Sequence, residues 1–329
     1  MPIYQFFKKL SCRKILNFFI LRISYYLSAV LKKPIILGFP VKIAVEPTNL
    51  CNLKCPECPT GINGLTRKKG NMDLILFKKI SEQMNTKLIS MIFYFQGEPF
   101  LNKKLFDMIK IAAEQNIYTY CSTNGHFLNS ETVEKTIKSG LDELIISLDG
   151  INQKVYEQYR RGGSLNTVLQ GTRELTKKKE ELKSALPYTK FQFLVVKPNE
   201  HQINDAKMLA KQIAVNTIVF KTAQIYDFEQ GNPLIPDNEK YSRYKKVKNG
   251  KYRLKKKLKN RCWRLWSNPV ITVEGDVLPC CFDKDAKYAM GNINEQSFAE
   301  IWKGDKYQKF RHKLLINRKS IDICRNCTE

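Results

Sequence analysis

The chain has 329 residues, enough for one large α/β domain and a smaller one, and its hydrophobic fraction of 43% and aromatic fraction of 11% suit a protein with a real core. Eight of its ten cysteines are bunched at 51–58, 262–281 and 324–327, which argues against a secreted disulfide framework and for metal binding in a reducing compartment. The formal charge of +25 is large for a metabolic enzyme and fits an anionic partner (nucleic acid, a phosphorylated substrate or the inner membrane leaflet), unless it reflects only a lysine-rich composition.

Residues 1–33 form a basic, aromatic-rich preface. Arg13-Lys14 precede the apolar run Ile15–Leu21, Arg22 interrupts it, and Ile23–Leu31 continues to Lys32-Lys33. A span needs ~20 mostly apolar residues, and Arg22 near its centre would cost about 2.5–3.5 kcal/mol. The pattern predicts an amphipathic helix, lying on a membrane surface or packed on the main domain.

From residue 41 strands and helices alternate. Strands are expected at 42–46, 88–95, 117–122, 143–148, 191–196 and 217–222, with helices at 73–84, 103–115, 130–139, 153–159, 165–184 and 202–212. Six such units predict an α/β fold, a parallel sheet covered by helices in residues 41–225. Chemistry then belongs at the C-terminal ends of the strands. Residues 226–261 read as a basic linker and hairpin turning at Asn249-Gly250, with twelve Lys/Arg and no acid in 240–261. Residues 262–329 form a small module with Cys262, Cys280, Cys281, Cys324 and Cys327 and every tryptophan of the chain.

The first strand runs into Cys51-Asn52-Leu53-Lys54-Cys55-Pro56-Glu57-Cys58. The spacing C-x3-C-x2-C supplies three thiols, one short of a closed structural zinc site. On a cubane iron–sulfur cluster, three thiolates leave one iron open for an outside ligand. One β/α unit later, Gly97-Glu98-Pro99 places a carboxylate in a stiffened turn, suited to an ammonium group. Ser122, Thr123 and Asn124 offer hydroxyl and amide groups at the third strand end. Ser147 sits at the fourth, followed by Arg160 and Arg161, of which either guanidinium could take a carboxylate. His126 is a loop residue or a proton carrier.

These motifs resemble the radical S-adenosylmethionine (radical SAM) enzymes over residues 41–329. The resemblance implies a partial (β/α)6 TIM-like barrel in which Cys51, Cys55 and Cys58 hold a [4Fe–4S] cluster that binds S-adenosylmethionine. Gly97, Glu98, Pro99, Ser122, Asn124, Ser147 and Arg160 would help to hold the cofactor. Cys262, Gly275 and Cys280, spaced C-x12-G-x4-C, with Cys324-Arg325-Asn326-Cys327, resemble a SPASM or shortened "twitch" module. That implies a second, auxiliary [4Fe–4S] cluster on Cys262, Cys280 (or Cys281), Cys324 and Cys327, with structural zinc as the alternative.

The implied reaction is reductive cleavage of S-adenosylmethionine to a 5′-deoxyadenosyl radical that takes a hydrogen from a peptide or a sugar-like alcohol. An electron donor such as flavodoxin or ferredoxin follows, with a cytoplasmic location or a peripheral one on the inner membrane face. Two other readings remain at this level: a zinc-stapled nucleic-acid-binding protein, and a radical SAM enzyme that modifies tRNA.

Overall fold

A computed structural model describes residues 3–328. Helices α1 (Ile3–Lys8) and α2 (Cys12–Leu31) precede β1 (Lys42–Val45). There follow α3 (Leu74–Met84), β2 (Ser90–Ile92), α4 (Leu105–Glu114), β3 (Tyr118–Thr123), α5 (Ser130–Lys138) and β4 (Glu143–Ser147). Next come α6 (Gln153–Tyr159), α7 (Leu165–Glu181), β5 (Tyr188–Val195), α8 (Ile203–Gln212) and β6 (Thr217–Thr222). The hairpin β7 (Tyr244–Lys246) and β8 (Tyr252–Leu254) leads to α9 (Trp263–Ser267), β9 (Val270–Ile271), β10 (Val277–Leu278), α10 (Phe298–Lys303) and α11 (Asp305–Asn317).

Strands β1 to β6 lie side by side in chain order and all run parallel. Alternation along each strand sorts the side chains onto two faces. Ile43, Met91, Phe93, Cys121, Leu144, Ile146 and Phe191 join one apolar core with Phe77, Ile80, Met108, Val133 and Val168 of the covering helices. The opposite parity faces the concave side. There the register sets Ala44 beside Ile92, Ile92 beside Tyr120, Tyr120 beside Glu143, Ser147 beside Gln192, and Leu194 beside Lys221. The result is the helix-covered parallel α/β sheet that the alternation predicts, in the form of the partial barrel that the family resemblance implies. β2 is shorter than its apolar run, although Phe93 N still donates to Tyr120 O at 2.7 Å, and β5 begins three residues earlier than expected.

The last segment adds to the same sheet. β9 pairs parallel to β1, and β10 returns antiparallel to β9, making eight strands in the order β10-β9-β1-β2-β3-β4-β5-β6. Trp266 and Trp302 of this segment are fully buried in the main core. The opposite, N-terminal rim is crossed by α1 and the start of α2. Phe6 meets Tyr118 edge to face at 5.5 Å, Lys9 pairs with Asp142, and Lys14 Nζ donates to Asn116 O at 2.6 Å.

Candidate functional site

The cysteine loop leaves the C-terminal end of β1 on a rigid footing. Glu46, fully buried, accepts both arms of Arg67 at 2.6 and 2.5 Å. Asn49 Nδ2 donates to Lys68 O (2.8 Å) and Thr48 Oγ1 to Gly70 O (2.9 Å), so segment 67–70 clamps the loop's start. The next strand end locks it from the other side: Glu98 N donates to Leu50 O at 2.7 Å. Gly97 has φ +74°, and a Cβ there would lie 2.6 Å from the carbonyl oxygens of both Leu50 and Thr48. The position therefore needs glycine for its conformation and for the close approach.

Glu98 is buried and ties three elements together. Its carboxylate accepts from Thr123 Oγ1 (2.7 Å), Asn124 N (2.6 Å) and Phe100 N (3.2 Å). Burial pushes its pKa up to about 7 against these three donors. Asn124 Nδ2 donates to Asn52 Oδ1 at 2.7 Å and stands 3.9 Å from Cys51 Sγ. His126 Nε2 accepts from Ser164 N (2.8 Å), which assigns the proton to Nδ1, 3.0 Å from Asn124 Oδ1. Both ring nitrogens are occupied, so His126 orients Asn124; it has no nitrogen left to carry protons.

The two neighbouring arginines separate. Arg160 Nε donates to Asp149 Oδ2 at 2.5 Å, and its Nη1 lies 3.9 Å from Cys55 Sγ. Burial opposes its charge, and the Asp149 carboxylate with Cys55 outweighs that, so the guanidinium stays protonated. Arg161 is exposed and contributes only its carbonyl, to Lys54 N at 3.0 Å. Ser122 and Ser147 lie on the concave parity of β3 and β4, and Pro99 opens a buried turn. Sequence reading assigned no role to Asn52, Arg67 or Asp149; their partners lie far along the chain.

The three thiols of this loop are free, and burial pushes Cys51 up to about 11, with Cys55 and Cys58 adding to the rise. Cys55 is raised by burial as well, against Arg160. Three crowded thiols, of which Cys51 and Cys55 resist ionisation on their own, fit a cationic iron cluster, which supplies the missing countercharge. The Cys55 backbone is held as closely as Gly97: a Cβ on Gly61 would lie 2.6 Å from Cys55 N and O.

A second thiol group lies in the C-terminal segment. Cys262, Cys324 and Cys327 are buried, and Cys280 interacts with Cys262 and Cys324. Arg318, fully buried, donates Nη2 to Cys327 Sγ at 3.2 Å and Nη1 to Arg261 O at 3.1 Å. Cys281 Sγ accepts from Arg264 Nη1 at 2.9 Å; Cys281 raises Tyr94, which burial first pushes up to about 12, and is itself raised by burial and by Cys327. Among the described residues no three His, Cys, Asp or Glu side chains converge as ligands of a single ion do.

An incomplete thiol loop on the first strand end of a partial barrel, with a thiol-rich tail closing the sheet, defines a class of iron–sulfur radical enzyme. The Radical SAM superfamily pattern matches residues 45–205, and an iron-sulfur cluster-binding domain, SPASM, matches residues 262–328. The chain belongs to the radical SAM superfamily and carries a C-terminal SPASM domain. Its cofactors are the [4Fe–4S] cluster with S-adenosylmethionine and an auxiliary iron–sulfur cluster. It is 25% identical over 298 residues to the tungsten-containing aldehyde ferredoxin oxidoreductase cofactor-modifying protein of Pyrococcus furiosus, covering 81% of this chain and 82% of that one. It is 25% identical over 290 residues to the S-adenosyl-L-methionine-dependent 2-deoxy-scyllo-inosamine dehydrogenase of Niallia circulans, covering 87% and 91%. The fold is also that of Streptococcus suis SuiB bound to precursor peptide SuiA, with TM-score 0.63 and 16% identity over 84% of this chain and 67% of that one.

Proposed function

We propose that this enzyme dehydrogenates a small, hydroxyl-bearing molecule. In this reading Cys51, Cys55 and Cys58 hold the S-adenosylmethionine-binding cluster, and Cys262, Cys280, Cys324 and Cys327 hold the auxiliary one. Bound together, cluster and S-adenosylmethionine supply one-electron cleavage to methionine and a 5′-deoxyadenosyl radical.

The protein's part is positioning. The turn at Gly97-Glu98-Pro99 and the amide of Asn124 receive the methionine end of the cofactor, held by the bonds from Thr123, Asn52 and His126. Arg160 sets a fixed positive charge between Asp149 and Cys55. Ser122 and Ser147 offer hydroxyls on the concave wall. Arg318 keeps a buried cation beside the auxiliary thiols, which offsets their negative charge.

The observation that carries the substrate class is the polarity of the concave wall. Tyr120, Ser122, Glu143, Ser147, Lys190, Gln192 and Lys221 share its parity with the apolar Ala44, Ile92, Ile145 and Leu194, and Glu143 Oε1 accepts from Lys190 Nζ at 2.7 Å. A wall of hydroxyl, amide and ammonium groups suits a polyol or amino sugar better than apolar side chains of a peptide. The likeness to a dehydrogenase along 91% of that relative's length supports the same reading.

The test is anaerobic incubation with S-adenosylmethionine and dithionite, with 2-deoxy-scyllo-inosamine, related aminocyclitols and sugars as probes. The expected result is 5′-deoxyadenosine with one carbonyl formed per equivalent. Stimulation by peptides alone would place the enzyme with the peptide modifiers. If the Cys51→Ala, Cys55→Ala, Cys58→Ala protein still makes 5′-deoxyadenosine, the cluster assignment is wrong.

A further inference from the structure

The N-terminal helix α2 turns its polar side inward. Lys14, Asn17, Ser24 and Ser28 are buried. Asn17 exchanges two bonds with the Phe39 backbone at 3.0 and 2.9 Å, and Ser28 Oγ accepts from Ile35 N at 2.9 Å. Lys14 reaches the rim of the barrel as described. These bonds fix the rotation of the helix about its axis.

What faces out is apolar. Leu16, Phe19, Ile23, Tyr26, Val30 and Leu31 are each more than half exposed. From Leu16 to Val30 the spacing of three and four residues makes one stripe, which Leu31 widens at its end, along a helix of about 30 Å, since each residue rises about 1.5 Å. Soluble monomers seldom expose so long a continuous apolar surface. Residues 1–45 contain no Asp or Glu, and Arg13, Lys32 and Lys33 are exposed at the two ends of the stripe.

Beside the stripe lies a cationic cavity of about 510 Å³. Tyr25 and Trp263 form its wall toward α2, with Arg22 packed over the Trp263 ring at 4.0 Å. Lys42, Lys256, Lys257, Lys259, Arg261 and Arg264 also line it, and no carboxylate does. An anion of phosphate size meets there six cations and no carboxylate, with Val41, Cys262, Ser267 and Asn268 completing the lining.

We propose that α2 lies in the surface of an anionic phospholipid bilayer, its stripe among the acyl chains and a headgroup phosphate in the adjoining cavity. By length and composition α2 could cross a membrane. Crossing would strip Lys14, Asn17, Ser24 and Ser28 of their partners, so the helix lies in the plane instead. A second copy of the chain fits poorly, because it would bring the cationic ends of two stripes together. An acidic redox protein matches the cavity and leaves the stripe uncovered. Docking at the N-terminal rim also leaves the cysteine loop, at the opposite rim, facing the aqueous side. The inference stands apart from the choice of substrate.

The test is flotation of the reconstituted full chain with vesicles of phosphatidylcholine alone and of phosphatidylcholine with phosphatidylglycerol. Two variants accompany it: Leu16→Ser, Phe19→Ser, Ile23→Ser together, and Lys256→Ser, Lys257→Ser, Lys259→Ser together. Unchanged iron content and circular dichroism certify that both fold. The wild type floats with the anionic vesicles. The lysine variant loses about a hundredfold in partitioning, from the worth of each cation near an anionic surface, and the stripe variant on the order of tenfold or more. Absence of flotation, or full flotation of the stripe variant, overturns the proposal. So does a wild-type dimer in sedimentation that the stripe variant dissolves, or a stripe-dependent complex with acidic flavodoxin that forms while vesicles are ignored.

Discussion

Arg160 connects the end of β4 to the cysteine loop, with Nε on Asp149 at 2.5 Å and Nη1 at 3.9 Å from Cys55 Sγ. A planar fork can serve both at once, whereas the single ammonium of lysine cannot. Arg160→Lys is therefore expected to slow 5′-deoxyadenosine formation on the order of tenfold, the worth of one charge-assisted bond. Arg161→Ala, on a side chain that faces solvent, stays near wild type. Single-turnover formation of 5′-deoxyadenosine compares the two, and equal effects would remove the role given to Arg160.

Gly97→Ala tests the contact between the first two strand ends. Its φ of +74° alone costs roughly 1–3 kcal/mol for a residue with a side chain. The methyl group would also lie 2.6 Å from two backbone oxygens that have no flexible side chain to yield. The cysteine loop must shift to admit it. Lower melting temperature and lower iron content are expected together. Gly70→Ala, where a Cβ meets nothing within 4 Å, should show neither.

Glu98 gives a pH dependence of known sign. Its carboxyl titrates at about 7 in the fold against 4.5 unfolded. Below the lower value both states hold the proton, and between the two only the folded state does. Its contribution to stability is complete below the unfolded pKa and is lost as pH rises toward the folded one, about 3 kcal/mol in all at about 1.36 kcal/mol per unit. Urea unfolding of the wild type and of Glu98→Gln, at pH 4 and pH 8, should differ by that amount between the two pH values. A difference that does not change with pH would mean that folding leaves the pKa of Glu98 where it is in the unfolded chain.

The sheet and the two thiol groups were readable because their signals are contiguous: apolar runs at regular spacing, Cys51–Cys58, Gly97-Glu98-Pro99. What joins them was not. Arg67 with Glu46, Asn52 with Asn124, and Arg318 with Cys327 are polar residues whose partners the fold supplies, and no periodicity announces them. Strands β9 and β10 have two residues each, too few for alternation to register. For α2 the sequence shows an amphipathic helix without showing which side turns inward, and hydrogen bonds with residues 35–39 decide that in favour of the polar side.

Cys280 and Cys281 are adjacent, and the fold gives them different surroundings. Cys280 is raised by burial and by its neighbours Cys281, Cys262 and Cys324, while Cys281 accepts from Arg264 on the side toward Tyr94. With four irons per cubane, the anaerobically reconstituted enzyme should hold about eight irons and eight sulfides. Cys280→Ser should retain about four, as should Cys324→Ser with Cys327→Ser. Cys281→Ser should keep the full complement, because its Sγ is engaged by Arg264. If instead Cys281→Ser drops to about four and Cys280→Ser does not, the ligand is Cys281, and the auxiliary cluster sits closer to the concave wall than the Cys280 assignment puts it.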